Sequence, residues 1–161
     1  MRPSHGSICR LLALFVAGLL PWTVIVGPGG VEFVFLYGLA VPATGHFVSL
    51  PTYLFVLTSG LPDRLLAWPA SALLYLAALV SASVSAITDD RLPRGDARLT
   101  PGLVGLAALA HLAFDLGVVT REGSTVVPVG PVLAGLVLWW FYWPSLRGQL
   151  AALDGPFDGE R

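Results

Sequence analysis

The segment "TPGLVGLAALAHLAFDLGVV", Thr100–Val119, decides the predicted fold because it combines a long apolar run with two ionisable side chains. A helix needs about 20 mostly apolar residues, at about 1.5 Å of rise each, to cross about 30 Å of hydrocarbon. Thr100 and Pro101 are typical of an N-cap followed by a first-turn proline. The segment therefore predicts a transmembrane helix that begins at Thr100.

The composition of the whole chain also favours a membrane protein. Hydrophobic residues make up 55% of the 161 residues and charged residues 12%, whereas soluble domains carry about 25% charged residues. The net charge is −1, and no Lys or Arg cluster is present that would neutralise several phosphates, so a nucleic-acid partner is excluded. Cys9 is the only cysteine, which excludes an intramolecular disulfide. We therefore expect the lipid bilayer to be the principal partner.

Three further segments are long, apolar and uncharged, and together with the first they predict an all-α integral membrane protein with four transmembrane helices. The predicted spans are residues 11–27, 65–87, 100–119 and 126–146. They form a single transmembrane domain over residues 1–150, followed by a short flexible tail at 151–161. Pro21 is expected to kink the first span. A cleaved signal peptide is the alternative interpretation of that span, but no small-residue cleavage site follows it.

Residues 28–63 are predicted to form an outer cap between the first two spans. The sequence "VEFVFLYGLAV" is rich in β-branched and aromatic residues and favours an extended conformation. The sequence "LPTYLFVLTSGLP" favours a helix too short to span, lying in the interface or re-entering the membrane. A fifth span is the competing interpretation, and it would reverse the orientation of everything downstream.

The arginines and the aromatic residues set the predicted orientation. With both termini cytoplasmic, seven arginines fall on the inner side and two on the outer side, which satisfies the positive-inside rule. Localisation in the cell membrane with cytoplasmic N- and C-termini follows. Trp and Tyr prefer the headgroup level, so an interfacial aromatic belt is predicted on both sides of the bilayer. Its members are Trp22, Trp68, Trp139, Trp140 and Trp143.

His111 and Asp115 are the most informative polar residues because an ionisable side chain within a span is costly and suggests function. At a spacing of four residues they share one helix face. If the helix ends near Val119, Asp115 lies about 6 Å from that end and His111 about 12 Å. Glu32 and His46 join this candidate polar site only if the cap folds over the third span. A structural hydrogen-bonded pair, with a neighbouring Ser, Thr or Tyr75 as partner, is the alternative.

No catalytic signature accompanies this pair, and too few ligands are present for a metal. We therefore expect no catalytic residue, no metal and no cofactor, and a non-enzymatic accessory or scaffold protein that packs against a membrane-protein partner. The first alternative is a small transporter or channel-like module that uses His111 and Asp115. A membrane enzyme acting on lipid is the second, and it requires both residues to meet Glu32, His46 or Tyr53 in one pocket.

The order and spacing of several segments resemble a known family. These segments are "PWTVIV", "YLFVLTSGLP", "LLAWPASALLYLAAL", "AHLAFDLG" and "VPVGPVLAGLVLWWFYWPSLR". Together they look like a family of uncharacterised haloarchaeal multi-pass membrane proteins whose genes are often found near that of archaeosortase A. The resemblance implies a role linked to surface-protein processing, and it provides no site residues.

Overall fold

The computed structural model describes residues 5–57, 65–88, 96–119, 123–144 and 147. Within them, helix α1 covers His5–Leu19 and the short helix α2 covers Leu50–Thr52, continued by a π-helical turn at Tyr53–Leu57. Helices α3 (Ala67–Thr88) and α4 (Asp96–Val119) are the long ones. Helix α5 covers Val129–Val137 and continues as a π-helical turn at Leu138–Tyr142.

Within the same described ranges, five short strands form one antiparallel sheet beside these helices. The strands are β1 (Thr23–Gly27), β2 (Gly30–Phe35), β3 (Gly38–Val41), β4 (His46–Ser49) and β5 (Thr125–Val127). Their order across the sheet is β4-β3-β2-β1-β5. Strand β5 therefore pairs with β1, which joins the segment before α5 to the segment after α1.

The prediction of an all-α fold with four transmembrane helices is wrong because parts of two predicted spans belong to this sheet. The first predicted span, 11–27, ends as strand β1, and the fourth, 126–146, begins within strand β5. Proline precedes β1 at position 21 and follows β5 at position 128, and β-branched residues dominate both strands. Pro21 therefore follows the end of α1 instead of kinking a continuous helix, since proline lacks the amide hydrogen that a helix interior needs.

The two central predicted helices are present, with shifted ends. The segment 65–87 corresponds to α3 and the segment 100–119 to α4. Helix α4 begins at Asp96, four residues before the predicted N-cap, so Pro101 lies inside the helix rather than at its first turn. In the outer cap the short helix is present as α2, but the extended piece is the paired strands β2 and β3. The tail at 151–161 lies outside the described residues.

Two helices in the described ranges, Ala67–Ile87 and Arg98–Val119, are long and apolar enough to cross a membrane. Only 33% of the most apolar window of each is buried inside the protein. The remaining apolar helices, Ile8–Leu19 and Val129–Tyr142, are shorter.

The inner face of the sheet packs on the helices and completes the core. Ile25 and Val34 of the sheet are buried in one cluster with Trp68 of α3 and with Phe114 and Val118 of α4. Alternate strand residues point to opposite faces, so the next residues along the strands, such as Val26 and Val31, face outward and are exposed. The sheet therefore covers the end of α3 and α4 where α3 begins and α4 ends.

Candidate functional site

The sheet and the two long helices meet at four buried polar residues, which we call the polar cluster. Thr23 is the first residue of β1, Ser71 lies on α3, and His111 and Asp115 lie one turn apart on α4. The exposed fraction is 0% for Thr23, Ser71 and His111 and 2% for Asp115. The structure therefore encloses the predicted pair completely and adds two hydroxyl residues to it.

Hydrogen bonds connect the four side chains in a row. His111 Nδ1 is 3.0 Å from Ser71 Oγ, and His111 Nε2 is 2.9 Å from Thr23 Oγ1. The Thr23 hydroxyl also contacts Asp115 Oδ1 through a short hydrogen bond. Ser71 in turn donates to the carbonyl oxygen of Trp68 at 2.7 Å. His111 and Asp115 therefore interact through Thr23, since the hydroxyl lies between the imidazole and the carboxyl group.

The number of hydrogens in this row limits which groups donate and which accept. A hydroxyl has one hydrogen, and Ser71 uses its hydrogen on Trp68, so His111 Nδ1 donates to Ser71. Two proton arrangements then satisfy the other contacts. Either His111 donates to Thr23 and Thr23 donates to a carboxylate, or a protonated Asp115 donates to Thr23 and Thr23 donates to a neutral imidazole. Both arrangements hold the same number of protons, and both require the Thr23 hydroxyl.

The second carboxyl oxygen of Asp115 has a different environment. Asp115 Oδ2 is buried and has no hydrogen-bond partner in the part of the chain that the structure describes. Buried polar atoms are nearly always hydrogen-bonded, because an unpartnered one loses its hydration without compensation. Thr23 is therefore the polar contact on which burial of this carboxyl group depends.

Aromatic side chains enclose the polar cluster on the side of α1. The Trp22 ring lies edge-on to the His111 ring at 5.1 Å and to the Tyr75 ring at 5.0 Å, measured between centroids. Trp22 Nε1 donates to the carbonyl oxygen of Ala17 at 3.0 Å, and the Tyr75 hydroxyl donates to that of Leu14 at 2.6 Å. Both rings thus satisfy their polar atoms on α1 and present carbon surface to the imidazole.

A small cavity of about 40 Å³ lies between the inner face of the sheet and the ends of α3 and α4. Its polar lining comes from Glu32 of β2 and Tyr53 of the π-helical turn, and its aromatic lining is completed by Trp68 and Phe114. Aliphatic side chains form the rest of the wall: Ile25, Val34, Leu39, Leu65 and Val118. The cavity is distinct from the polar cluster, since none of the four cluster residues lines it.

The predicted site residues therefore divide among three places. His111 and Asp115 lie in the polar cluster, whereas Glu32 lines the cavity. His46 is exposed on the edge strand β4. The structure does not bring these residues, together with Tyr53, into one pocket, which is the arrangement that a membrane enzyme of the predicted kind requires.

Two of the five tryptophans assigned to the predicted aromatic belt lie inside the protein. Trp22 and Trp68 are buried in the core, with exposed fractions of 0% and 2%. Their indole nitrogens are satisfied by backbone carbonyl groups, so a headgroup environment is not needed to hydrate them. The other three members are exposed near the far end of α5: Trp139, Trp140 and Trp143. An interfacial aromatic belt at that end stays a prediction.

Thr23 and Ser71 are the cluster residues that sequence reasoning did not identify. A Ser or Thr partner for His111 was expected, but the sequence places Thr23 in a predicted helix 88 residues away from His111. Tyr75, the other expected partner, donates instead to the Leu14 carbonyl oxygen. Among the described residues, no group of three or more His, Cys, Asp or Glu side chains is placed to hold a metal ion.

Comparison with known proteins gives one match that covers nearly the whole chain. No curated protein matches the sequence, and no solved structure matches it. The sequence profile of the family described as "Domain of unknown function (DUF8050)" matches residues 1–152. The chain therefore belongs to the DUF8050 family.

Proposed function

We propose that the protein is an integral membrane accessory protein, embedded in the cell membrane through α3 and α4 and capped by its sheet. The proposal rests on a distribution in which polar side chains are enclosed and large apolar side chains are exposed. Thr23, His111 and Asp115 are enclosed, whereas large apolar side chains such as Leu73 and Leu109 are 68% and 64% exposed. Water-soluble proteins rarely expose large contiguous apolar patches, and polar groups within a membrane face the bundle interior. Lipid is the solvent that fits this surface.

The direction of the chain and the arginines support a multi-pass orientation with both termini cytoplasmic. Helix α1 runs towards the sheet and α5 runs away from it, so the start of α1 and the end of α5 lie on the side opposite the sheet. Arg10, Arg98 and Arg147 belong to segments on that side. Arg91 and Arg94, which contribute to the predicted bias, lie outside the described residues. Because cytoplasmic segments are enriched in arginine, we place the sheet on the outer side.

Membrane extraction and cysteine labelling test this placement. We expect the chain to stay in the membrane fraction after an alkaline carbonate wash. In intact cells, a membrane-impermeant maleimide should label Ala43→Cys in a Cys9→Ser background, because residue 43 is exposed beside the sheet. Wild-type Cys9, which is exposed on α1, should react only after permeabilisation. Release by carbonate would refute membrane embedding, and equal labelling of Cys9 in intact cells would refute the orientation.

Enclosure of the polar cluster supports an accessory role rather than catalysis or transport. A catalytic base must come within about 3 Å of a substrate proton, directly or through one water, and a transport path must be accessible to water or ions. His111 and Asp115 instead use their hydrogen bonds to fasten α4 to Thr23 of the sheet and to Ser71 of α3. The resemblance to the haloarchaeal family supports a partner in surface-protein processing.

Isolation of the intact complex tests the accessory role. A tagged chain purified from its native membranes in a mild detergent should carry a second membrane protein in a fixed ratio to itself. Another multi-pass protein with the same tag provides the control for non-specific recovery. Recovery of the chain alone, under conditions in which other membrane complexes survive, would contradict the accessory role without affecting the membrane placement.

A further inference from the structure

Glu32 occupies an unusual position for a charged residue. It is the only charged residue between Arg10 and Asp63, and it lies on the inner face of the sheet, opposite Ile25, where it lines the cavity. It is half-buried and has no ion-pair partner within the described ranges. A carboxylate that faces an apolar cavity is unfavourable unless a cation or a hydrogen-bond donor binds it. The cavity is therefore a candidate binding site for such a group.

Three of the residues that line the cavity with Glu32 are aromatic, and their rings pack on one another. The centroids of the Tyr53 and Trp68 rings are 5.5 Å apart, and those of Trp68 and Phe114 are 5.7 Å apart. Trp68 Nε1 donates to the carbonyl oxygen of Phe35 at 2.8 Å, which fixes the indole and uses its hydrogen on the sheet. The cavity is therefore lined by three aromatic rings, and the face of such a ring attracts cations.

We propose that this cavity binds a primary ammonium group, held by the Glu32 carboxylate and the ring faces of Tyr53, Trp68 and Phe114. A metal ion fits less well, because calcium and magnesium take six or more oxygen ligands and only Glu32 and Tyr53 among the lining residues carry side-chain oxygen. An ammonium ion needs one counter-ion and aromatic contact, and its carbon stem suits the aliphatic walls.

The size of the cavity selects among ammonium groups. A water molecule needs about 10–15 Å³ of such space, so a cavity of about 40 Å³ suits a primary ammonium with one attached carbon better than a bulkier quaternary one. The ammonium group has two possible sources: a free amine in solution, or the ethanolamine headgroup of a lipid beside the outer ends of α3 and α4.

Saturation-transfer NMR on the full chain in maltoside micelles tests the site, with methylammonium as the probe. We expect saturation transfer to methylammonium, and less to methanol, which lacks the charge, or to tetramethylammonium, which is bulkier and has no N–H to donate to Glu32. Glu32→Gln should weaken the affinity about tenfold, and Glu32→Asp should restore most of it. Tyr53→Leu should weaken it about threefold to tenfold, whereas the matched change Tyr37→Leu, outside the cavity, should have no effect.

Three results would overturn the proposal. One is equal transfer to methanol, which would indicate a general apolar pocket, and the second is equal transfer to tetramethylammonium. The third is unchanged methylammonium affinity in a folded Glu32→Gln variant. To identify the source, the measurement is repeated in nanodiscs of phosphatidylcholine with and without phosphatidylethanolamine. Suppression of methylammonium binding by phosphatidylethanolamine would assign the lipid headgroup, and undiminished binding would assign a free amine.

Discussion

Replacement of Thr23 by valine is expected to lower the free energy of unfolding by about 2 kcal/mol or more. Valine keeps the shape of threonine but removes the hydroxyl that contacts both His111 Nε2 and Asp115 Oδ1. Both proton arrangements of the polar cluster require that hydroxyl, so each leaves at least two buried polar atoms unpartnered in the variant. Reversible unfolding in mixed detergent micelles, followed by circular dichroism, measures the loss.

Two control variants separate the lost hydrogen bonds from other effects of this substitution. Thr23→Ser keeps the hydroxyl and should cost less than half as much as Thr23→Val. Thr125→Val makes the same chemical change on the exposed outer face of β5 and should leave the free energy of unfolding nearly unchanged. If Thr23→Val is as stable as wild type, the row of hydrogen bonds does not fasten the sheet to α4.

Replacement of Gly130 by alanine is expected to destabilise the fold by about 3 kcal/mol, because it overfills a closed contact. A Cβ atom at residue 130 would lie 2.6 Å from Trp22 Cε3 and would overlap other atoms of the same ring. Trp22 has little room to withdraw, since its indole hydrogen is bonded to Ala17 and its ring packs on His111 and Tyr75. The same unfolding assay measures the effect.

Gly135 provides a matched control on the same helix. A Cβ atom there meets nothing within 4 Å, so Gly135→Ala should be neutral or stabilising by about 0.5–1 kcal/mol through helix propensity. Equal stability of the two alanine variants would show that α5 does not pack closely on the Trp22 ring at Gly130. A contact between these elements is otherwise supported by the hydrogen bond from Gly130 N to the Trp22 carbonyl oxygen at 2.7 Å.

The long helices could be predicted from the sequence because their signal is local. The segments of α3 and α4 each maintain high hydropathy over more than 18 residues, and a continuous apolar helix of that length has few alternatives. The predicted start at Thr100 was wrong because a first-turn proline and an internal proline have the same local sequence. At an N-cap the Thr100 hydroxyl would accept a hydrogen bond from a backbone amide. It instead lies 2.8 Å from Ser81 Oγ on α3.

The sheet could not be predicted because hydropathy does not report the partner of a strand. The sequence "TVIVG" at 23–27 continues the apolar run of the first predicted span and is also typical of a strand. Its pairing partners lie at 30–34 and at 125–127, so one is adjacent and the other about 100 residues away. The extended conformation expected for part of the cap was confirmed, but its pairing into a sheet with β1 and β5 depends on contacts between distant segments.

The candidate site, like the fold, could be predicted from the sequence only in part. The sequence by itself determined that His111 and Asp115 share one face of an apolar helix, because the helical repeat fixes the position of residues four apart. Only the tertiary structure decided that Thr23 lies between them and that Glu32 faces an aromatic cavity instead of joining them. Residue spacing fixes geometry within one helix, whereas these contacts arise where a sheet packs on two helices, and that packing is set by the whole chain at once.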